Sequence, residues 1–183
     1  VELIDLIWCK FTRKPLDGAQ QYLAALRSVG TVPAARQHTD SHAFVAALAD
    51  TANALCRPAK LHFVLQEQWQ GQFLCAAPEL SRALENMLDN AVRYTPAGGT
   101  VTLTISKADG DVAFTVTDTG PGFTPEALHK AGQFLYTDAA RPCNGHQGLG
   151  LYLARSVAQA HVGKLVLANT GTGAQVQLCL PMQ

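Results

Sequence analysis

Residues 84–96, Leu-Glu-Asn-Met-Leu-Asp-Asn-Ala-Val-Arg-Tyr-Thr-Pro, constrain the fold more than any other stretch. Leu80, Leu84, Leu88 and Ala91 recur at the period of an α-helix, so one face is apolar. Asn86, Asn90 and Arg93 fall at i, i+4 and i+7 on a second face. A carboxamide oxygen is a hard, neutral ligand that suits Mg²⁺, and a guanidinium suits phosphate. One reading is a helix that holds a metal–triphosphate. The other is the solvated face of an ordinary amphipathic helix, and this stretch alone favours it. The segments downstream change that balance.

At 183 residues the chain is long enough for one domain with a real core plus an appendage. Hydrophobic residues make up 48% and charged residues 15%, which predicts a folded globule. Formal net charge is zero, so there is no basic field for nucleic acid or an anionic membrane. The five cysteines (Cys9, Cys56, Cys75, Cys143, Cys179) are odd in number and contain no CxxC. That supports neither a zinc site nor a disulfide framework, and predicts reduced thiols in a cytoplasmic protein. No apolar run is long enough to span a bilayer and no signal peptide is visible. The first residue is Val, so the expectation is an excerpt of a longer protein.

In chain order, residues 1–33 read as a helical segment and linker. Pro15 interrupts it, and Leu16, Ala19, Leu23 and Leu26 form a short coiled-coil seam or a helix lying on the domain's own surface. Ser41 is the expected cap of a helix reaching about Arg57, where Pro58 ends it. Leu61–Gln66 and Gln72–Ala76 read as strands with a turn at Gln70-Gly71. Pro78 opens the helix described above, and Pro96-Ala97-Gly98-Gly99 stops it. A hairpin follows: Val101, Leu103 and Ile105 alternate, Asp109-Gly110 turns, and Val112, Phe114 and Val116 alternate back.

Asp118 continues that last alternation. By parity its carboxylate points to the buried face, where it needs a donor or must give up its charge. Thr119-Gly120-Pro121-Gly122 comes next and allows backbone to approach a ligand closely. The alternative is an aspartate that merely caps a turn. Thr124 is the expected cap of a short helix to about Ala131, and residues 132–147 read as an irregular loop. Gly145-His146-Gln147-Gly148-Leu149-Gly150-Leu151 then opens a helix that reaches His161. Bare amides at a helix start, with the helix dipole behind them, make a ready anion site. Lys164–Ala168 and Ala174–Leu180 close the chain as a strand pair around Gly171-Thr172-Gly173.

Taken together and in order, these segments resemble the ATP-binding catalytic domain of bacterial sensor histidine kinases, related to gyrase, HSP90 and MutL-type ATPases. Asn86–Pro96 is similar to the family's N box, Asp118–Phe123 to its G1 box, and Gly148–Leu151 to its G2 box, with Phe134 where the F box stands. The fold implied is α+β, a two-layer α/β sandwich (Bergerat fold). It has one mixed, mainly antiparallel sheet with helices on one face, occupying residues 34–183. Residues 1–33 would be the tail of a dimerisation hairpin.

The resemblance implies the cofactors ATP and Mg²⁺ and a role for each motif residue. Asn90 would hold Mg²⁺, Asn86 would line the phosphate or metal side, and Arg93 would contact phosphate. These three would be the catalytic set. Tyr94 would pack by the nucleotide, and Asp118 would accept from the adenine amino group. Gly120 and Gly122 would make room for the purine, and Gly148, Leu149, Gly150 and Leu151 would meet the phosphates. Residues 132–147 would be the lid. The implied partners are a phosphoacceptor dimerisation domain outside this chain and a response regulator. The full-length protein would be a homodimer, and this a cytoplasmic domain of a membrane-attached sensor.

In the hydrolysing relatives a glutamate stands four residues before the magnesium asparagine. Here that position is Asn86, and Glu85 is rotated by about 100° around the helix. Phosphotransfer to histidine is therefore expected over efficient ATP hydrolysis. The chain departs from the family in having no phosphoacceptor His motif, in Phe134-Leu135-Tyr136 at the F box, and in His146-Gln147 before the G2 glycines. Two other readings remain open: a degenerate nucleotide-binding or interaction module, and an HSP90- or MutL-like ATPase.

Overall fold

The computed structural model describes residues 35–133, 136 and 148–182. The expected N-terminal segment with its Leu16–Leu26 seam, the F-box Phe134, Cys143, and the lid beyond Gln133 apart from Tyr136 lie outside the described residues.

The first strand, β1, spans Gln37–Asp40, and helix α1 spans Ser41–Cys56. The helix is capped one residue earlier than expected. Asp40 Oδ1 accepts from the Ala43 amide at 2.9 Å, while Ser41 Oγ accepts from the Gly71 amide at 2.9 Å. Both side chains can cap, and Ser41 is drawn away because its own amide donates to the Gly71 carbonyl at 3.0 Å.

Strands β2 (His62–Glu67) and β3 (Gln72–Cys75) follow, then helix α2 (Ala77–Tyr94). The two strands do not pair with each other across Gln70-Gly71. β3 joins β1 in an antiparallel two-stranded sheet, and β2 runs parallel to β4 (Thr100–Ala108). A parallel neighbour needs a crossover, and α2 provides it. β4 turns at Asp109-Gly110, both with positive φ, into antiparallel β5 (Asp111–Asp118). Helix α3 (Pro125–Lys130), helix α4 (Gly150–Ala160) and strands β6 (Lys164–Asn169) and β7 (Ala174–Pro181) complete the domain.

The main sheet has the order β2-β4-β5-β7-β6, with one parallel pair and three antiparallel pairs. Its alternation is strict on β4: Val101, Leu103 and Ile105 are buried, and the threonines between them are not. Val112, Phe114, Val116, Val176, Leu178 and Leu180 continue the same inward face. Leu80, Leu84, Met87 and Leu88 of α2, Val45 and Leu48 of α1, and Ala154 and Ala158 of α4 close over it. The result is the expected two-layer α/β sandwich. Each buried leucine on α2 contributes about 1.5–3 kcal/mol, so this face outweighs any preference of its polar one. Phe44, Phe73 and Phe114 meet at centroid distances of 5.6–5.9 Å and tie the small sheet to the large one through α1. Among the described residues no helix is long and apolar enough to cross a membrane, and Cys56, Cys75 and Cys179 are buried free thiols.

Candidate functional site

Asp118 ends β5 on the inward face, as its parity requires, and is 6% exposed. Its Oδ1 accepts from the Gly120 amide at 2.8 Å and from the Ala174 amide at 3.2 Å. Burial pushes its carboxyl above the usual range, and the two backbone amides pull the other way. Oδ2 takes neither of these donors.

The loop after Asp118 is laced to its surroundings. Thr119 donates its amide to the Thr100 carbonyl at 3.1 Å, and its hydroxyl accepts from the Thr100 amide at 2.9 Å. A Cβ on Gly120 would come within 2.6 Å of the Tyr94 carbonyl oxygen, so no side chain fits between the end of α2 and this loop. Gly122 has φ +74°, a conformation that favours glycine. Tyr94 itself is half-buried at the end of α2.

Asn86, Asn90 and Arg93 lie on the helix face away from the buried leucines, as the 3.6 period predicts. Asn86 is half-buried, and its Nδ2 donates to the Arg82 carbonyl at 2.9 Å, which turns its Oδ1 outward. Asn90 is half-buried, and among the described residues its carboxamide has no hydrogen-bond partner. Arg93 is exposed and forms an ion pair with Asp89 at 3.1 Å. Glu85 faces its own helix, where its Oε1 accepts from Ser81 Oγ at 3.1 Å.

The glycine loop reaches this helix. Gly148 has φ +70°, Leu149 is buried as the residue before α4, and Gly150 is the first residue of α4. A Cβ on Gly150 would sit 3.7 Å from Asn86 Cβ, an ordinary contact. Among the described residues neither packing nor backbone conformation demands glycine at 150. Leu151 is half-buried against the core. α4 runs antiparallel along the first half of α2. Its start meets Asn86 and its end meets Ala76, whose amide donates to His161 Nε2 at 3.0 Å. His161 Nδ1 lies 2.8 Å from the Val157 carbonyl, so that nitrogen carries the proton and the ring is the Nδ1–H tautomer.

The structure thus brings Asn86 and Gly150 together on one side and Tyr94, Asp118 and Gly120 on the other, with Asn90 on the intervening turn of α2. The described part holds no cluster of three or more His, Cys, Asp or Glu side chains for a metal. The donors available are the carboxamide oxygens of Asn86 and Asn90. Such oxygens suit Mg²⁺ that retains water and phosphate ligands, so the residues present fit that ion. Two participants carry no site role in the sequence: Asn169, and the turn of residues 170–173, which reads there only as a strand connection. Asn169 grips the Phe123 backbone, and Ala174 beyond the turn supplies an amide to Asp118. Gly171-Thr172-Gly173 signals a turn, but nothing local says which loop it holds.

A model of the family described as histidine kinase-, DNA gyrase B- and HSP90-like ATPase matches residues 75–183. Sensor histidine kinase SpaK of Bacillus subtilis is 43% identical over 107 residues, covering 57% of this chain and 23% of SpaK. Histidine protein kinase DivJ of Caulobacter vibrioides is 37% identical over 105 residues, covering 56% of this chain and 18% of DivJ. The chain spans about a fifth of the length of these relatives. In fold it is similar to the mycobacterial sensor histidine kinase MprB, with TM-score 0.71 and 23% identity over 80% of this chain and 99% of that one. Full-length ShkA in complex with AMPPNP gives TM-score 0.75 and 22% identity over 90% of this chain and 37% of that one. With the segments similar to the N box, G1 box and G2 box meeting along α2 and the family match covering more than half its length, the chain belongs to the histidine kinase-, DNA gyrase B- and HSP90-like ATPase family, as an ATP-binding catalytic domain of the sensor histidine kinase type.

Proposed function

We propose that this chain binds Mg-ATP and transfers the γ-phosphoryl group to a histidine on a separate dimerisation domain, within a two-component system. The observation that carries the reading is the spacing of unlike groups along α2. A buried carboxylate stands at one end, beyond Tyr94, and a glycine-led helix start stands against Asn86 at the other.

Asp118 Oδ2 would accept from the adenine amino group. Gly120 and Gly122 would let the purine lie against backbone, beside Tyr94. Asn90 would hold Mg²⁺, with Asn86 Oδ1 toward the same ion or a phosphate oxygen. The magnesium, when bound, neutralises charge on the triphosphate and so lowers the barrier to transfer. The amides of Gly148, Leu149, Gly150 and Leu151 would meet phosphate oxygens at the start of α4. Arg93 would leave Asp89 for phosphate, which an exposed pair worth about 0–1 kcal/mol permits.

Support for transfer over hydrolysis comes from Asn86, which cannot take a proton from water, and from Glu85, which is engaged with Ser81 on another side of the helix. In this reading residues 34–183 are the catalytic domain and 1–33 the tail of a dimerisation hairpin. The whole protein is a homodimeric, membrane-attached sensor whose cytoplasmic part serves a response regulator. Titration calorimetry with Mg²⁺ and AMPPNP, followed by phosphotransfer from ATP to a supplied dimerisation domain, tests it. Binding with transfer supports the reading. Binding without transfer selects a nucleotide-sensing module, and rapid turnover lost in Asn86→Ala selects the ATPase branch.

A further inference from the structure

Asn169 is the last residue of edge strand β6 and is exposed. Its Oδ1 accepts from the Phe123 amide at 2.6 Å, and its Nδ2 donates to the Phe123 carbonyl at 2.9 Å. One side chain thus makes both bonds that a neighbouring strand would make to that residue. The two bonds also fix which way the carboxamide faces, since only oxygen accepts and only nitrogen donates. A Cβ on Gly122, next to Phe123, would come 2.8 Å from Asn169 Oδ1 and would displace the carboxamide that makes these bonds. The glycine and the asparagine therefore fit as a pair.

The turn after Asn169 is closed on itself: the Thr170 amide donates to the Gly173 carbonyl at 2.8 Å, and Thr170 Oγ1 accepts from the Gly173 amide at 3.0 Å. Beyond it, the Ala174 amide donates to Asp118 Oδ1. One rigid turn therefore holds both ends of the Asp118–Phe123 loop. Ala174 holds the acid, and Asn169 holds the far end, so the turn sets the gap between them.

We propose that Asn169 is a positioning residue for the purine. It keeps the Gly120–Gly122 backbone at the distance from Asp118 that a flat base requires, and it acts on base recognition without acting on the phosphates. This rests on the nucleotide reading above. The side-chain bonds of Asn169 go to Phe123 alone, and Asn86 and Gly150 meet elsewhere on α2, so the two ends of the site are separable by ligand.

The test is calorimetry on this chain with two probes, Mg–AMPPNP and Mg–tripolyphosphate, the second having no base. Asn169→Ala is expected to weaken AMPPNP about tenfold and to leave tripolyphosphate within about twofold, the scale of one or two lost hydrogen bonds. Asn169→Asp keeps the acceptor, loses the donor and sets a carboxylate against the Phe123 carbonyl, so it should not rescue. Hydrogen exchange at the Phe123 amide should speed up in both variants, which shows directly that the clamp is gone. Equal losses on both probes, or an unchanged AMPPNP affinity with a freed Phe123 amide, would overturn the proposal alone. A wild-type chain that binds tripolyphosphate but not AMPPNP would overturn the nucleotide reading and this inference with it.

Discussion

The two ends of the cleft are built in opposite ways. At the Asp118 end nearly every polar group is already committed within the chain: Oδ1 to two amides, Thr119 to Thr100, Phe123 to Asn169. At the Asn86 end the commitments are slight. Asn90 has no partner among the described residues, Asn86 uses only its nitrogen, and Gly150 leaves room that nothing in the described chain fills. In the proposed reading the first end, shaped by folding, takes the flat base, and the second is a set of donors and acceptors that the phosphates and magnesium would complete. If the phosphates lie at the second end and the purine at the first, change at the phosphate end should be tolerated without loss of fold, and change to the backbone that shapes the purine end should affect fold and binding together.

Asp118→Asn gives the largest expected effect and separates binding from stability within one residue. Its amide nitrogen would meet the adenine amino group donor to donor. Losing a hydrogen bond to a charged acceptor costs about 1.5–3 kcal/mol, so AMPPNP affinity should fall roughly tenfold to a hundredfold by calorimetry. Stability should move the other way at neutral pH. Burial raises the carboxyl in the folded state, so between the unfolded and folded pKa values the native state holds more protons. What Asp118 contributes is therefore present below its ordinary value of 3.8 and lost as pH rises through the raised one. Denaturant melts should find the Asp118→Asn variant no less stable than wild type at pH 7, with the difference closing below the carboxyl range. A stability loss at pH 7 that matches the affinity loss would mean that the ionised carboxylate itself, and not only the backbone around it, holds this end together.

The next test compares two glycines. Gly122→Ala forces a side chain to positive φ beside Asn169 and should cost about 1–2 kcal/mol of stability, with weaker AMPPNP binding. Gly150→Ala meets nothing closer than 3.7 Å. Alanine is the better helix former, so stability should hold or rise by up to about 1 kcal/mol, while Mg–tripolyphosphate binding weakens. Melting curves and calorimetry on the pair decide it. If Gly150→Ala destabilises as much as Gly122→Ala, the phosphate end is a folded scaffold too.

These differences also explain what was legible in the sequence. Periodicity is a local signal. It shows α2, the β4–β5 hairpin and the inward aim of Asp118, because each follows from residues two to four apart. The N-box stripe is legible for the same reason. Pairing is non-local. Leu61–Gln66 and Gln72–Ala76 look like neighbours on a hairpin, yet β2 takes β4 and β3 takes β1, partners far away in the sequence. The Asn169 clamp joins residues 46 apart, and no periodicity carries that distance. Ser41 fails as a cap for a related reason: Asp40 is equally able, and only the position of Gly71 decides between them.

The smallest expected effect lies at the far end of α4 and asks whether the phosphate loop senses it. Val162 follows His161 with φ +61° and is 71% exposed. A β-branched residue is strained there, and the helix end it closes favours glycine, because the Gly163 amide must reach back to the Ala158 carbonyl at 2.8 Å. Val162→Gly relieves roughly 1–2 kcal/mol of left-handed strain and gives back part of it as chain entropy, for a net gain of about 0.5–1 kcal/mol. His161 keeps its bond to Ala76, so the register of α4 along α2 is unchanged and Gly150 stays beside Asn86. Melting temperature should rise while both AMPPNP and tripolyphosphate bind as in wild type. A change in tripolyphosphate affinity alone would mean that strain at the end of α4 is transmitted along the helix to its glycine start, and that the phosphate end is less independent of the fold than its geometry indicates.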